Sequence, residues 1–230
     1  MGDGRDGPDD LADPWGRLCA DVLSVGAPFP LALGGSRAVR AHGLTGCGGT
    51  GVSVATEHPA RMEFLAATVR TGLAGLGWPV RTAERGPLSA HLVVTDPRTG
   101  AECEVDLRKE ALWRPPVPTE PGLTLALEDV IGTKVRALAD LGLAPDLIDV
   151  RAARHHWSHP ELEELGRRHT RGPFDLTDLH ARLSGTDWID DTEFTAHGLG
   201  DRDVLELRRW AQEWAYDIAE RLIEGRPPEE

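Results

Sequence analysis

The sequence is poor in cysteine, in basic residues and in long apolar runs, and each shortage excludes a class of protein. Its 230 residues include three cysteines, Cys19, Cys47 and Cys103, which are far apart and form no Cys-x-x-Cys pair. Such a set predicts no disulfide framework, and it favours a reducing compartment. No apolar run approaches the roughly 20 residues that cross a bilayer, and no charged-then-apolar leader opens the chain. We therefore expect a cytoplasmic protein that does not associate with a membrane.

Basic residues are outnumbered by acidic ones. The 25 Lys and Arg residues stand against 38 Asp and Glu residues, which gives a net charge of −13. Nucleic-acid binding depends on basic side chains that release counterions, so this balance disfavours an extended nucleic-acid contact. The expected partner is a small molecule or a protein. A chain of this length with 40% hydrophobic residues can fill one substantial domain or two small ones.

One stretch near the N-terminus carries a recognisable pattern. A short apolar strand over residues 31–33 leads into the turn Gly34-Gly35-Ser36, a helix of about two turns, and a second strand over residues 52–54. Two glycines let the backbone come close to a ligand. At a helix start, which the serine marks here, the first backbone N–H groups have no partner within the helix and can bind an anion. The pattern predicts a phosphate site made by Gly34, Gly35, Ser36 and Arg37. A tight turn with an N-cap serine is the structural alternative.

The order of these elements, with a helix that ends in Ala41-His42-Gly43-Leu44, resembles the nucleotidyltransferase superfamily. More narrowly, it resembles the AbiEii/AbiGii toxin-like family of bacteria. The resemblance covers nearly residues 14–225 and implies an α+β fold, with a mixed β-sheet core and a helical C-terminal half. In that family the second strand carries an Asp-x-Asp pair that holds a divalent metal. Gly51 and Ser53 stand at the matching positions, so the resemblance implies a degenerate metal site with Ser53 beside the substrate.

A later strand supplies a candidate for the remaining acidic residue. Alternation over residues 102–107 puts Glu102, Glu104 and Asp106 on one face of that strand. The resemblance implies that Asp106 corresponds to the family's third catalytic acidic residue. Glu104 is the other choice. A half-exposed strand shows the same alternation without any function. Mg²⁺ usually binds through one or two carboxylates plus substrate phosphates, so we predict no metal ligands here, although a role for Mg²⁺ as a cofactor stays open.

The character of the chain changes after a proline-rich connection over residues 113–118, and the region from residue 127 onward is predicted to be mostly helical. We therefore predict a disordered tail over residues 1–13, a nucleotidyltransferase-like α/β core over residues 14–120 and a helical domain over residues 121–230.

The first helix of the C-terminal region, predicted over residues 127–138, carries Lys134. It resembles the family's lysine-bearing helix, in which the lysine faces the nucleotide phosphates. Asp146 and Asp149 resemble the aspartates of the family's Arg-Asp-x-x-Asp motif, whose arginine is replaced here. The resemblance implies that Lys134 binds phosphate and that Lys134 and Asp149 take part in catalysis. A solvated lysine, and an aspartate paired with a nearby arginine such as Arg151, are the alternatives.

Two further features have structural explanations. Cys47 lies in a glycine-rich segment and has no neighbouring base in the sequence, so a structural role is favoured over a nucleophilic one. The last helix has apolar residues at helical spacing, which predict a core face or a surface for a protein partner. Those residues are Val204, Leu207, Trp210, Ala211, Trp214, Ile218 and Leu222.

Three functions stay open on these observations. The first is a repurposed enzyme that acts on a nucleotide or another phosphorylated or anionic small molecule. The second is a metal-dependent AbiEii-type toxin that transfers a nucleoside monophosphate from an NTP to RNA or protein. The third is a non-catalytic binding or regulatory module of the same fold. We favour the first, because Ser36, Asp106, Lys134 and Asp149 occupy compatible places in the pattern.

Overall fold

A computed structural model of the chain describes residues 14–49, 51–170 and 172–224. The tail predicted over residues 1–13 lies outside the described residues. The chain divides into two compact units. The described part of the N-terminal unit comprises residues 14–41 and 51–126, and that of the C-terminal unit comprises residues 42–49 and 127–224. Within the described residues, no helix is both long and apolar enough to cross a membrane.

The N-terminal unit contains a mixed β-sheet with helices. In chain order its elements are α1 (Pro14–Val25), β1 (Ala32–Gly34), α2 (Gly35–Ala41), β2 (Val52–Thr56), α3 (Met62–Gly75), β3 (Val80–Arg85), β4 (Ser89–Thr95), β5 (Glu102–Lys109), β6 (Val117–Thr119) and β7 (Gly122–Thr124). The described strands form one seven-stranded sheet in the order β3-β4-β5-β2-β1-β7-β6. β2 is parallel to β5 and β1 is parallel to β7, while the other neighbours are antiparallel.

The apolar pattern of the sequence forms the core of this unit. On β5 the side chains of Cys103, Val105 and Leu107 are buried, whereas Glu104 is exposed, so the predicted alternation is confirmed. The helix α3 is amphipathic and packs on β3 and β4 with its apolar face buried. Residues 14–25 form α1, in which Leu18, Cys19 and Val22 are buried at helical spacing. Periodicity was sufficient for these elements because each buries one face.

Two short strands differ from the sequence prediction. Residues 113–118 were expected to be a proline-rich connection, but Val117 and Pro118 belong to β6, which pairs with β7. β6 lies at the edge of the sheet, where a proline is tolerated because its missing N–H would not face another strand. A three-residue strand has too few positions to show a period of two.

The C-terminal unit is helical, as the sequence predicts. Its elements are α4 (Leu127–Leu141), α5 (Ala144–Ala152), α6 (His159–Arg168), α7 (Leu176–Ser184), a 3-10 helix (Gly185–Trp188), α8 (Asp191–Thr195) and α9 (Asp201–Glu224). α4 packs against α5, α6 and α7, and α9 packs against α5, α7 and α8. Asp175 is the N-cap of α7, and its carboxylate accepts a hydrogen bond from the Thr177 amide at 2.7 Å.

The apolar face of α9 is mainly a core face. Val204, Leu207, Ala211 and Ile218 are buried together with Trp214. The indole of Trp214 donates to the Glu163 carboxylate at 2.9 Å, and Arg221 donates to both oxygens of the same carboxylate at 2.6 and 2.7 Å. A buried indole usually needs such a partner for its N–H. The use of the C-terminal helices as a partner surface stays a prediction.

Candidate functional site

The Gly34-Gly35-Ser36 turn joins β1 directly to α2 in the N-terminal unit. Gly35 has φ +63°, a left-handed conformation that favours glycine. A Cβ atom placed on Gly35 would lie 3.0 Å from the hydroxyl oxygen of Ser53. Arg37 in the first turn of α2 donates through Nε to the carbonyl of Gly51 at 3.1 Å. The absence of a side chain at Gly35 therefore brings this turn against the second strand.

Four residues lie side by side across the sheet next to this turn. Gly34 on β1 pairs with Ser53 on β2, Ser53 pairs with Asp106 on β5, and Asp106 pairs with His91 on β4. Directly opposed residues of neighbouring strands share a face of the sheet. We call Gly34, Ser53, Asp106 and His91 the polar row. The predicted residues Gly34, Ser53 and Asp106 are thus brought together, while sequence reasoning missed His91.

Asp106 is held by His91. Its Oδ1 lies 2.9 Å from Nδ1 of His91, and the two side chains are 33% and 26% exposed. Glu104, the other candidate, has a side chain that is 71% exposed and lies 3.9 Å from Nε2 of His91. The signal for His91 was present in the sequence, because the turn residues at positions 96–100 join β4 to β5 in a hairpin whose register pairs His91 with Asp106.

The donor set of the polar row does not fit the divalent metal site that the family resemblance implies. The sequence resemblance matched Gly51, which precedes β2, and Ser53 on β2 to the family's carboxylates, and β2 itself offers Asp106 no acidic neighbour. A Cβ atom on Gly51 would lie 3.2 Å from the Glu104 carbonyl oxygen, which leaves little room for a longer side chain. Among the described residues, no group of three His, Cys, Asp or Glu side chains could hold a metal ion.

Lys134 is the centre of a second cluster, which lies in the C-terminal unit. Its Nζ is 2.8 Å from Oδ1 of Asp146 and 2.9 Å from Oδ2 of Asp149, and all three side chains are at most slightly exposed. We call these three residues the lysine cluster. One ammonium and two carboxylates carry a net charge of −1. Asp149 therefore pairs with the lysine rather than with Arg151, which instead contacts Glu206 at 3.3 Å.

Burial and charge act in opposite directions on Lys134. Burial lowers the pKa of the ammonium because it removes water, whereas the charges and hydrogen bonds of Asp149 and Asp146 raise it. The two aspartates together raise the pKa more than burial lowers it. The pKa of Lys134 therefore lies above its usual value, and the side chain is charged at neutral pH.

The lysine cluster is connected to the glycine-rich segment of residues 42–49. The amide of Cys47 donates to Oδ1 of Asp149 at 2.7 Å, so Asp149 contacts both Lys134 and this segment. The Cys47 thiol lies 3.0 Å from Nδ1 of His197. Sequence reasoning found no base for Cys47, because His197 follows it by 150 residues and no local pattern connects the two.

Comparisons with known proteins agree with the predicted fold. No protein-family model matches the sequence, and no curated protein matches it significantly. JHP933 from Helicobacter pylori is similar in structure, with 14% identity, a TM-score of 0.53, and coverage of 95% of this chain and 97% of that chain. A proposed nucleotidyltransferase from H. pylori has 14% identity, a TM-score of 0.54, and coverage of 93% and 98%.

A third similar structure is MenT4, a nucleotidyltransferase toxin from Mycobacterium tuberculosis, with 15% identity, a TM-score of 0.48, and coverage of 94% and 95%. That score is too low to support an inference. The two H. pylori structures share the architecture over nearly the whole of this chain. The predicted α+β, nucleotidyltransferase-like fold, with a mixed sheet and a helical C-terminal half, is therefore confirmed.

Proposed function

We propose that this protein is a nucleotidyltransferase-fold enzyme that acts on a nucleotide or another phosphorylated or anionic small molecule, without the family's carboxylate pair. The observation that carries the proposal is the composition of the polar row. Asp106 is present and oriented by His91, whereas a serine, Ser53, occupies the β2 position opposite it. A fold does not determine a reaction, so the residues of the site decide between the candidate functions.

Recognition of an anion is assigned to the turn of the N-terminal unit. Gly34 and Gly35 allow close approach to the backbone, and Ser36 adds a hydroxyl donor. The guanidinium of Arg37 lies beside the strand that carries Ser53. A guanidinium and a hydroxyl can both donate to a phosphate oxygen without a metal ion.

Asp106 is assigned the acid–base role in this site. A carboxylate that accepts the proton of an attacking hydroxyl must be held within hydrogen-bond reach of that proton. The 2.9 Å contact with His91 fixes the orientation of the Asp106 carboxylate. His91 is then a positioning residue, and its replacement should lower turnover more than it lowers ligand affinity.

In this proposal Lys134 is a structural residue and does not bind the phosphate directly. Because two carboxylates already surround its ammonium, it offers little net positive charge to a ligand. We assign Lys134 to holding Asp149, which in turn binds the Cys47 amide. Direct contact of Lys134 with a phosphate remains the alternative assignment.

The test is calorimetric titration of the four ribonucleoside triphosphates with and without Mg²⁺. The proposal expects binding in the absence of Mg²⁺, and Ser36→Ala should weaken it about tenfold, the effect of one lost hydrogen bond to a charged group. Ser24→Ala replaces an exposed serine of the same unit and serves as the matched control. Lys134→Ala distinguishes the two assignments of the lysine, since a phosphate contact predicts weaker binding by the folded variant.

Each other candidate function has its own outcome in this experiment. Binding that requires Mg²⁺, together with transfer of a nucleoside monophosphate to RNA or protein, would support a metal-dependent toxin of the AbiEii type. Absence of nucleotide binding under both conditions would contradict the proposal and would favour a non-catalytic module. Binding with no turnover in Asp106→Asn, but with turnover in the wild type, would support the acid–base role.

A further inference from the structure

Cys47 and His197 form a pair of reactive groups outside the polar row. The thiol sulfur lies 3.0 Å from Nδ1 of the imidazole, which is hydrogen-bond distance for a thiol. Both residues belong to the C-terminal unit. A thiol becomes an effective nucleophile when an adjacent base takes its proton, and a histidine is the usual base. The pair therefore has the two groups that activated cysteines require.

The backbone of Cys47 is fixed as well as its sulfur. Its amide donates to Asp149 at 2.7 Å, and Asp149 is fully buried and paired with Lys134. The surroundings of Cys103 differ, because its thiol donates at 3.5 Å to the backbone carbonyl of Glu104 within β5. A carbonyl oxygen accepts a hydrogen bond from a thiol but does not take its proton. The environment of Cys47 is thus chemically distinct from that of another buried cysteine in the same chain.

The segment that carries Cys47 is irregular. The thiol is buried, but the described residues 42–49 contain no helix or strand, and Gly48 next to Cys47 is exposed. His197 lies in the turn after α8, between the exposed residues Ala196 and Gly198. Irregular segments rich in glycine open locally at low free-energy cost. Small uncharged molecules are the reagents that such an opening admits.

We propose that Cys47 and His197 form a peroxide-reactive modification site, in which Cys47 is the nucleophile and His197 receives its proton. The sulfur attacks one oxygen of hydrogen peroxide, an S–O bond forms, and the O–O bond breaks. The leaving hydroxide takes the proton from the His197 imidazolium and departs as water. Sulfur is oxidised to a sulfenic acid and the peroxide is reduced. Cys47 is the only cysteine in the sequence of the C-terminal unit, so an external thiol must restore it.

The experiment compares the three cysteines of the intact protein in one sample. The protein is exposed to hydrogen peroxide, the reaction is stopped with catalase, and the remaining thiols are alkylated after denaturation. Mass spectrometry then gives a loss rate for each cysteine. Cys47 should lose its thiol at least about tenfold faster than Cys19 and Cys103, because an imidazole lies at hydrogen-bond distance from its sulfur and can take the thiol proton. Equal rates for the three cysteines would overturn the proposal.

Variants of the histidine separate activation from exposure. His197→Asn keeps a polar group near the position of Nδ1 but removes the base, so it should slow Cys47 at least about tenfold and leave the other two rates unchanged. His180→Asn, a change of a partly buried histidine in α7, is the matched control and should alter none of the rates. An unchanged Cys47 rate in His197→Asn would overturn the assignment of His197. Should that variant unfold, the three rates rise together, and His197→Gln repeats the test under the same criterion.

Discussion

The polar row and the lysine cluster carry similar chemical groups in opposite surroundings. In the polar row, Asp106 and His91 are 33% and 26% exposed and form a contact of 2.9 Å between neighbouring strands of the sheet. In the lysine cluster, Asp149 is fully buried and Lys134 is 11% exposed, and the ammonium is bound by two carboxylates. Charges that are out of water must be paired, whereas half-exposed ones retain water that a ligand can replace.

Because the two clusters differ in burial, substitutions in them should affect different properties of the protein. Removal of one partner from the buried lysine cluster leaves an uncompensated charge, so its main effect should be on stability. Removal of a group from the polar row exposes little that water cannot solvate, so its main effect should be on ligand binding and turnover. Substitutions in the two places should therefore separate the free energy of unfolding from activity.

The largest effect is expected from Lys134→Met. The variant keeps an apolar chain of similar length but leaves Asp146 and Asp149 without their ammonium, and breaking a buried ion pair in this way costs about 3–5 kcal/mol. Urea unfolding of the variant and the wild type measures the loss. Arg202→Ala is the control, because the 3.1 Å pair of Arg202 and Glu206 is 90% and 43% exposed and should contribute less than about 1 kcal/mol. A loss in Lys134→Met as small as that of the control would contradict the comparison.

A second prediction concerns the close packing around another buried pair of the C-terminal unit. Nε2 of His169 lies 3.0 Å from Oδ1 of Asp129, and both side chains are buried. A Cβ atom on Gly132 would lie 2.4 Å from the His169 ring and 2.7 Å from the Leu165 carbonyl oxygen. Gly132→Ala should therefore destabilise the protein by about 1–3 kcal/mol through overpacking, measured by urea unfolding.

The matched control for Gly132→Ala lies in the N-terminal unit. Gly75 is also a helical glycine, in α3, and a Cβ atom placed there meets no other atom within 4 Å. Gly75→Ala should stabilise the protein by up to about 1 kcal/mol, because alanine is the better helix former. Opposite signs for the two alanine variants support the packing argument, and a stabilised Gly132→Ala would contradict it.

The polar row and the lysine cluster also differ in how far the sequence predicts them. Strand alternation gave the face of the strand on which Asp106 lies, and the family resemblance put Gly34, Ser53 and Asp106 in one site. Lys134 and Asp149 are 15 positions apart on successive helices, and the family resemblance placed both in the site. Their mutual contact at 2.9 Å, and the resulting loss of net positive charge, depend on burial, which spacing alone does not give.

The contacts that sequence reasoning missed are those between distant segments. Cys47 and His197 meet only because the segment of residues 42–49 joins the C-terminal unit although it precedes most of the sheet in the chain. No periodicity or motif carries that information. The short strands β6 and β7 were missed for a different reason, since three residues are too few to show alternation.

The composition of the polar row can be tested by restoring one carboxylate. Ser53→Asp places a second carboxylate opposite Asp106 on the neighbouring strand, and like charges in that arrangement cost about 0.5–1 kcal/mol. Ser53→Asn has almost the same shape without the charge and is the matched control. Mg²⁺ should restore stability to the Asp variant and leave the Asn variant unchanged, as measured by urea unfolding with and without the ion. Equal behaviour of the two variants would contradict this account of the row.

The smallest effect is expected from protonation of a half-buried histidine in the C-terminal unit. His159 stacks on Trp214 with 5.2 Å between ring centroids, and burial lowers its pKa more than the nearby Asp217 raises it. The unfolded chain, with a histidine pKa of about 6.5, therefore binds more protons than the folded one just below that pH. This contribution to stability is complete above about pH 6.5 and is lost as the pH falls through the lower pKa of the folded state.

His159→Phe keeps an aromatic ring on Trp214 but cannot be protonated. Its free energy of unfolding should fall less than that of the wild type between about pH 7.5 and about pH 5, with denaturant titrations at both values as the measurement. His156→Phe is the control for an added phenyl ring, because the exposed His156 also lies beside a tryptophan, 5.5 Å from Trp157. An acid sensitivity of His159→Phe equal to that of the wild type would show that burial of this imidazole does not govern the response. The pH dependence would then have to come from the more exposed groups, and the contrast between the buried and the open polar sites would be weaker.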